Sequence, residues 1–64
     1  MTSVESAMEH LPRNFRTALE LRECEGLSYD EISHQLGCPI GTVKSRVKRA
    51  RDKVRHLLDD RLAA

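Results

Sequence analysis

Aromatic side chains are nearly missing from this chain: Phe15 and Tyr29 stand alone, without a tryptophan. A β-rich core usually draws on aromatic and β-branched residues, so their scarcity argues against a sheet protein. No apolar run approaches the ~20 residues that a membrane-spanning helix needs. Cysteine is scarce too. Cys24 and Cys38 make no disulfide framework, and no secretory leader pattern is visible, so a reducing, cytoplasmic setting is expected. Adding His34 gives a conceivable Cys24/His34/Cys38 set, but its spacing fits no zinc pattern, and no metal is expected. Both cysteines read instead as small, often buried hydrophobes. A Ser/His/Asp set, a pocketed carboxylate pair and a glycine-rich phosphate loop are all lacking. A chain of 64 residues hides only about 60% of its unfolded surface, which leaves little room for an enclosed active site. Neither an enzyme nor a cofactor is expected.

What is present is charge, unevenly divided. Residues 1–37 hold seven acids against three arginines, a balance of −4; residues 38–64 hold eight bases against three acids, a balance of +5. The formal total of +1 conceals this split. A basic half points to a polyanionic partner, nucleic acid or an anionic membrane surface. The plainer alternative is a solvated helix face balanced by its neighbour.

Helical periodicity accounts for most of the chain, and the fold class expected is all-α, four helices forming one domain over residues 1–64. Thr2 to Glu5 can form a capping box, and Val4, Ala7, Met8 and Leu11 recur at helical spacing, so a first helix is expected to reach Leu11. Pro12 ends it, by disfavouring helical backbone in the residue before, and is well placed to open a second helix. There Phe15, Ala18, Leu19 and Arg22 share a face bordered by Leu21, and Gly26 is the expected left-handed cap. Leu27-Ser28-Tyr29-Asp30-Glu31-Ile32 reads as a capping box with a hydrophobic staple. The helix it opens is short, with Ile32 and Leu36 inward. Gly37 permits a reversal, and Pro39 restarts a helix at once. Two helices this close make a helix-turn-helix, expected over about residues 28–55.

At ~100° per residue, Ile40, Val43, Val47, Ala50 and Val54 of the last helix fall in one stripe, extended by Leu57 and Leu58. Opposite lie Gly41, Ser45, Lys48, Arg49 and Asp52, flanked by Lys44 and Arg55. The major groove of B-DNA admits one α-helix, and the second helix of a helix-turn-helix enters it. Lys44, Ser45, Lys48 and Arg49 are therefore the candidates for base edges; Lys48 and Arg49 can donate to guanine, and Arg49 alone offers a rigid fork. Gly41 lets the backbone approach closely, and Thr42 suits a phosphate. Ser28 and Tyr29 open the supporting helix, where free N–H groups and the Tyr29 hydroxyl can hold the DNA backbone. Asp30 and Glu31 would repel that phosphate if aimed at it. Arg46 and Arg51 lie near the apolar edge, within reach of Glu20 or Glu23, and pairing is favoured for Arg51. Leu19, Leu21 and Leu58 are expected close enough to the surface to offer apolar grooves to a partner helix.

Leu11-Pro12-Arg13, Leu21-Arg22-Glu23, Gly26-Leu27-Ser28-Tyr29-Asp30-Glu31-Ile32 and Cys38-Pro39-Ile40-Gly41-Thr42-Val43-Lys44-Ser45-Arg46-Val47, continued by Arg49-Ala50-Arg51, resemble region 4 of bacterial RNA polymerase sigma factors. More narrowly, they resemble the extracytoplasmic-function (ECF) group of that family, over about residues 8–58. The resemblance implies a C-terminal domain that binds the −35 promoter element while docked on the β-flap of RNA polymerase core, and that an anti-sigma factor masks in many members. By matched position it implies base contacts from Lys44, Ser45, Lys48 and Arg49. Backbone contacts are expected from Arg22, Ser28, Tyr29, Gly41, Thr42 and Arg46. The region that melts the −10 element has no counterpart here, so this chain alone is not expected to initiate transcription. A monomer in the bacterial cytoplasm, associated with the nucleoid, completes the expectation. A response-regulator output domain of the LuxR type shares the Gly-Leu-Ser and Thr-Val-Lys elements. A module docking mainly on an acidic protein, or a basic helix lying on a membrane, are the readings from other classes.

Overall fold

The computed structural model describes residues 4–63, with the side chains of 4, 5 and 60–63 left aside. Four helices follow one another: α1 (Val4–Met8), α2 (Arg13–Glu23), α3 (Tyr29–Leu36) and α4 (Ile40–Ala63). No strand occurs among the described residues. At ~1.5 Å per residue, the 24 residues of α4 run about 36 Å, most of the 40 Å long dimension. Helices α1, α2 and α3 all pack on α4, and α2 also meets α3. The core is what these faces share: Ala7, Met8, Leu11, Ala18, Leu19, Leu21, Ile32, Val43, Val47, Ala50 and Val54 are buried.

Helix α1 is shorter than its apolar spacing suggests. It ends at Met8, and tight turns follow, with His10 N–H donating to the Ala7 carbonyl and Leu11 N–H to that of Met8. Leu11 is buried all the same, so the apolar period marks the core face while Pro12 cuts the helix early. The Thr2 end of the expected capping box lies outside the described residues. Pro12 itself is not the first helical residue of α2. It occupies the N-cap with ψ 147°, and α2 starts at Arg13 without a side-chain cap. Leu21, expected at the border of the α2 stripe, is fully inside, and Phe15, expected near its middle, is half-buried. Because α2 is covered by both α4 and α3, its buried arc is wider than a single stripe. Gly26 does take a positive φ, +71°, but it sits in the α2–α3 connection, two residues past the Cys24 C-cap.

Helix α3 and its flanking turns follow the sequence closely. The Ser28 hydroxyl accepts from the Glu31 N–H at 3.1 Å, and the Glu31 carboxylate accepts from the Ser28 N–H at 3.0 Å. Leu27 packs against the core beside the fully buried Ile32. Gly37 ends α3 in the left-handed conformation, φ +67°. The Pro39 carbonyl then accepts from Thr42 and Val43, so three residues, 37–39, separate the two helices. In α4, Val43, Val47, Ala50 and Val54 are buried as the stripe requires, and Leu57 and Leu58 are half-buried. Ile40 is the exception at 41% exposed. It has the angular position of a core residue, but at the extreme start of α4 that face is left uncovered.

Candidate nucleic-acid interface

Burial of one side of α4 fixes what the other side can present. Lys44, Ser45, Lys48 and Arg49 are all exposed, as is Gly41, while Thr42 and Arg46 are half-buried. Ser45, Lys48 and Arg49 take part in no hydrogen bond or ion pair among the described residues, so their donors are free for a ligand. Arg55 is different. Its guanidinium holds Asp52 one turn back at 2.7 Å, which leaves the C-terminal part of this face close to neutral. On this face the unpaired basic residues therefore lie in the first half of α4, the part that follows the turn; Lys53, nearer the apolar edge, is also without a partner among the described residues.

A shallow open cavity of about 290 Å³ lies along this stretch, lined by Phe15 of α2 and by Gly41, Thr42, Ser45, Arg46 and Arg49. Arg46 reaches neither Glu20 nor Glu23. Its guanidinium lies 4.0 Å from the Cys38 sulfur, turned toward the α3–α4 turn. Arg51 does pair with Glu23, its Nε donating to the carboxylate at 2.6 Å, and so ties α4 to α2. Glu20 is taken within its own helix by Arg16 at 3.3 Å. Glu20 and Glu23 are thus each paired with an arginine.

The start of α3 is less open to an anion than the bare helix end would be. The Ser28 and Glu31 N–H groups are spent on the capping box, which leaves those of Tyr29 and Asp30 as the orphan donors of the first turn. The Glu31 carboxyl, bonded to the Ser28 backbone first and to its hydroxyl second, is held below its ordinary range. It is turned back on the helix, and Asp30 leans toward His34 at 3.8 Å. The Glu31 carboxylate is thus aimed at its own helix start rather than outward. Tyr29 is half-buried against the core, and two cations gather over its ring: the Arg22 guanidinium at 4.9 Å and the Lys44 amine at 5.9 Å. Arg22 also donates to the Leu27 carbonyl at 2.9 Å. This grouping was not legible in the sequence, although the flanking position of Lys44 on α4 is the signal that points to it.

The cysteines remain apart in role as in sequence. Cys24 is exposed at the end of α2, against the expectation of a buried hydrophobe, because α2 stops there and nothing packs over it; Cys38 is half-buried in the turn. Among the described residues no three metal-ligating side chains converge, and no helix is long and apolar enough to cross a membrane.

A helix-turn-helix with a bare basic face on its second helix is a geometry shared by many DNA binders, and comparison with known proteins decides among them. The family model for sigma-70, region 4, matches residues 1–54. The chain belongs to this family. Over 52 residues this region 4 chain is 50% identical to the RNA polymerase sigma-H factor of Pseudomonas aeruginosa, a match that covers 81% of the chain and 27% of that protein. It is 49% identical over 47 residues to the ECF RNA polymerase sigma-E factor of Haemophilus influenzae and 51% identical over 47 to that of Escherichia coli, in each case 73% of the chain and 25% of the relative. This region 4 chain spans about a quarter of the length of these relatives. The matched residues include α2, α3 and the basic first half of α4, the elements that build the interface. The LuxR-type alternative gains no support and is set aside.

Proposed function

We propose that this chain binds the −35 element of bacterial promoters as the C-terminal domain of an ECF sigma factor, directing RNA polymerase to its start sites. The observation that carries this reading is the unpaired polar face of Ser45, Lys48 and Arg49, projecting from a helix whose other face is anchored in the core. Those three side chains read base edges in the major groove, where Arg49 takes a guanine O6/N7 pair and Ser45 either base type. Arg22, Ser28, Tyr29, Gly41, Thr42 and Arg46 hold the sugar-phosphate backbone and set the register. The domain acts as a monomer in the cytoplasm, on DNA of the nucleoid. Selection of bound duplexes from a random pool tests the reading directly. Enrichment of one short motif is expected, and recovery of an unenriched pool would overturn sequence-specific binding.

A protein partner is favoured by a separate observation. An open groove of about 530 Å³ runs between α2 and α4, lined by Leu19, Val54 and Leu58 and edged by Glu23, Arg51, Arg55 and Asp59. Leu21, on another side of α2, does not line it. An amphipathic helix fits such an apolar floor with a charged rim. The β-flap of RNA polymerase core, and in the resting cell an anti-sigma factor, are the occupants proposed. Adding a flap fragment or an anti-sigma domain to labelled protein should shift the amide signals of Leu19, Val54 and Leu58. If neither moves them, the groove has another role.

A further inference from the structure

Lys44 does not stand with the other base-reading candidates. Ser45, Lys48 and Arg49 have no partner among the described residues, whereas the Lys44 amine lies 5.9 Å from the centre of the Tyr29 ring. Cations within about 6 Å of an aromatic centroid are attracted by the electron-rich ring face. Arg22 approaches the same ring to 4.9 Å, and its guanidinium is held there by the Leu27 carbonyl at 2.9 Å. Three helices thus contribute one side chain each around a single ring: Arg22 from the end of α2, Tyr29 from the start of α3 and Lys44 from the start of α4. Two positive charges gathered at one ring repel each other, and an anion placed beside both relieves that repulsion. The Tyr29 and Asp30 N–H groups, left over from the capping box, open the same helix start. Each of these groups can donate to a phosphate, and the ring contact turns Lys44 toward Arg22 and the α3 start.

We infer that Tyr29 is a positioning residue which, through its ring, gathers Lys44 and Arg22 into a clamp for one backbone phosphate. Lys44 therefore fixes register and does not read sequence. The inference rests on the DNA-binding reading above and goes beyond it, since the family resemblance by matched position puts Lys44 among the base contacts, and the chemistry of the α3 start alone makes the Tyr29 hydroxyl the donor.

The test uses the duplex recovered by selection, its single-base-pair variants and a series of salt concentrations. A cation–π contact at an exposed site corresponds to about a two- to fivefold change in affinity. Tyr29→Leu is expected to weaken every duplex alike by about that factor, and Tyr29→Phe to restore the loss. Lys44→Ala is expected to weaken all duplexes together and to reduce the salt slope by less than one unit, because Arg22 stays on the same phosphate. Its effect should shrink in the Tyr29→Leu background, because the two residues act together. In the free protein the ring should move the Lys44 ε-methylene proton signals upfield; this shift should survive in Tyr29→Phe and vanish in Tyr29→Leu. A Lys44→Ala variant with altered base preference would overturn the inference. So would a Tyr29→Phe loss equal to that of Tyr29→Leu, which would return the contact to the hydroxyl. If the unaltered chain binds no duplex while the upfield shift is present, the DNA reading itself fails, and the clamp with it.

Discussion

Arg49 and Arg22 carry the same charge but are held in opposite ways, and their replacement should separate reading from holding. Arg49 is exposed on the outward face of α4 without a partner among the described residues. Replacing it with alanine should leave the melting curve unchanged. It should cost about 1–3 kcal/mol on the preferred duplex and relax selectivity at one base pair. Arg22 is half-buried, bonded to the Leu27 carbonyl and stacked on Tyr29. Arg22→Ala should therefore weaken binding to all duplexes alike, and should also lower stability by about 0.5–1.5 kcal/mol through the lost hydrogen bond. Binding measured on single-base variants, beside thermal melts, distinguishes the two. If Arg22→Ala changes base preference and Arg49→Ala does not, the proposed orientation on DNA is wrong. The sequence announced Arg49 as an outward residue because a helical wheel needs only the period. It did not announce the structural duty of Arg22, because the carbonyl it holds belongs to a connection whose path no period describes.

The elements that were legible in the sequence are those whose ends carry their own chemistry. Ser28, Glu31 and Gly37 define α3 by local hydrogen bonds and one left-handed residue, and the structure follows them. The end of α1 and the start of α2 depended on Pro12 alone, which marks a boundary without saying where the last turn closes; there the expected limits were off. Ile40 and Leu21 show the other limit. Periodicity gives the direction of a side chain, while burial also requires a neighbour to lie over it. Two predictions belong at this scale. The Glu31 carboxyl is held below its ordinary 4.5 by the Ser28 backbone, so it stabilises the fold above that value, and the contribution is lost as pH falls through its lowered folded value. Glu31→Gln should therefore lower the urea midpoint at pH 7, and the gap to the unaltered chain should close in acid. A gap that stays constant with pH would mean that the charge plays no part in the cap. Gly37→Ala meets no neighbouring atom within 4 Å, so its cost is purely that of a left-handed alanine, about 1–2 kcal/mol in a denaturant titration. A neutral result would mean that the turn can reverse by another path.

For the whole molecule, the division of charge seen in the sequence becomes a division of faces, and the fold lessens its disadvantage. Glu20 and Glu23 of the acidic half are matched to Arg16 and Arg51, and Asp52 within α4 is matched to Arg55. Unpaired or ring-held cations gather at the start of α4 and beside Tyr29, on the elements that would meet DNA, with Arg13 and Lys53 also unpaired elsewhere among the described residues. That geometry bounds the affinity. If Arg22 and Lys44 share one phosphate and Arg46 takes a second, about two phosphates are neutralised, the uncharged Thr42 adding a hydrogen bond but no counterion release. Counterion release then gives a log–log salt slope of about −1.8, so a fourfold rise in salt should weaken binding about 12-fold. The formal charge of +1 supplies little long-range attraction beyond these contacts. The isolated domain should accordingly bind its preferred duplex weakly, and should lose most of that binding between low and moderate salt. Titration of a labelled duplex by fluorescence anisotropy at four or five salt concentrations measures the slope. A slope near zero would remove phosphate contacts from the account and leave binding to base contacts alone. A slope far steeper than about −2 would require cations beyond the turn, with Lys53 and Arg55 the nearest in reserve, and would extend the DNA-facing surface along the second half of α4.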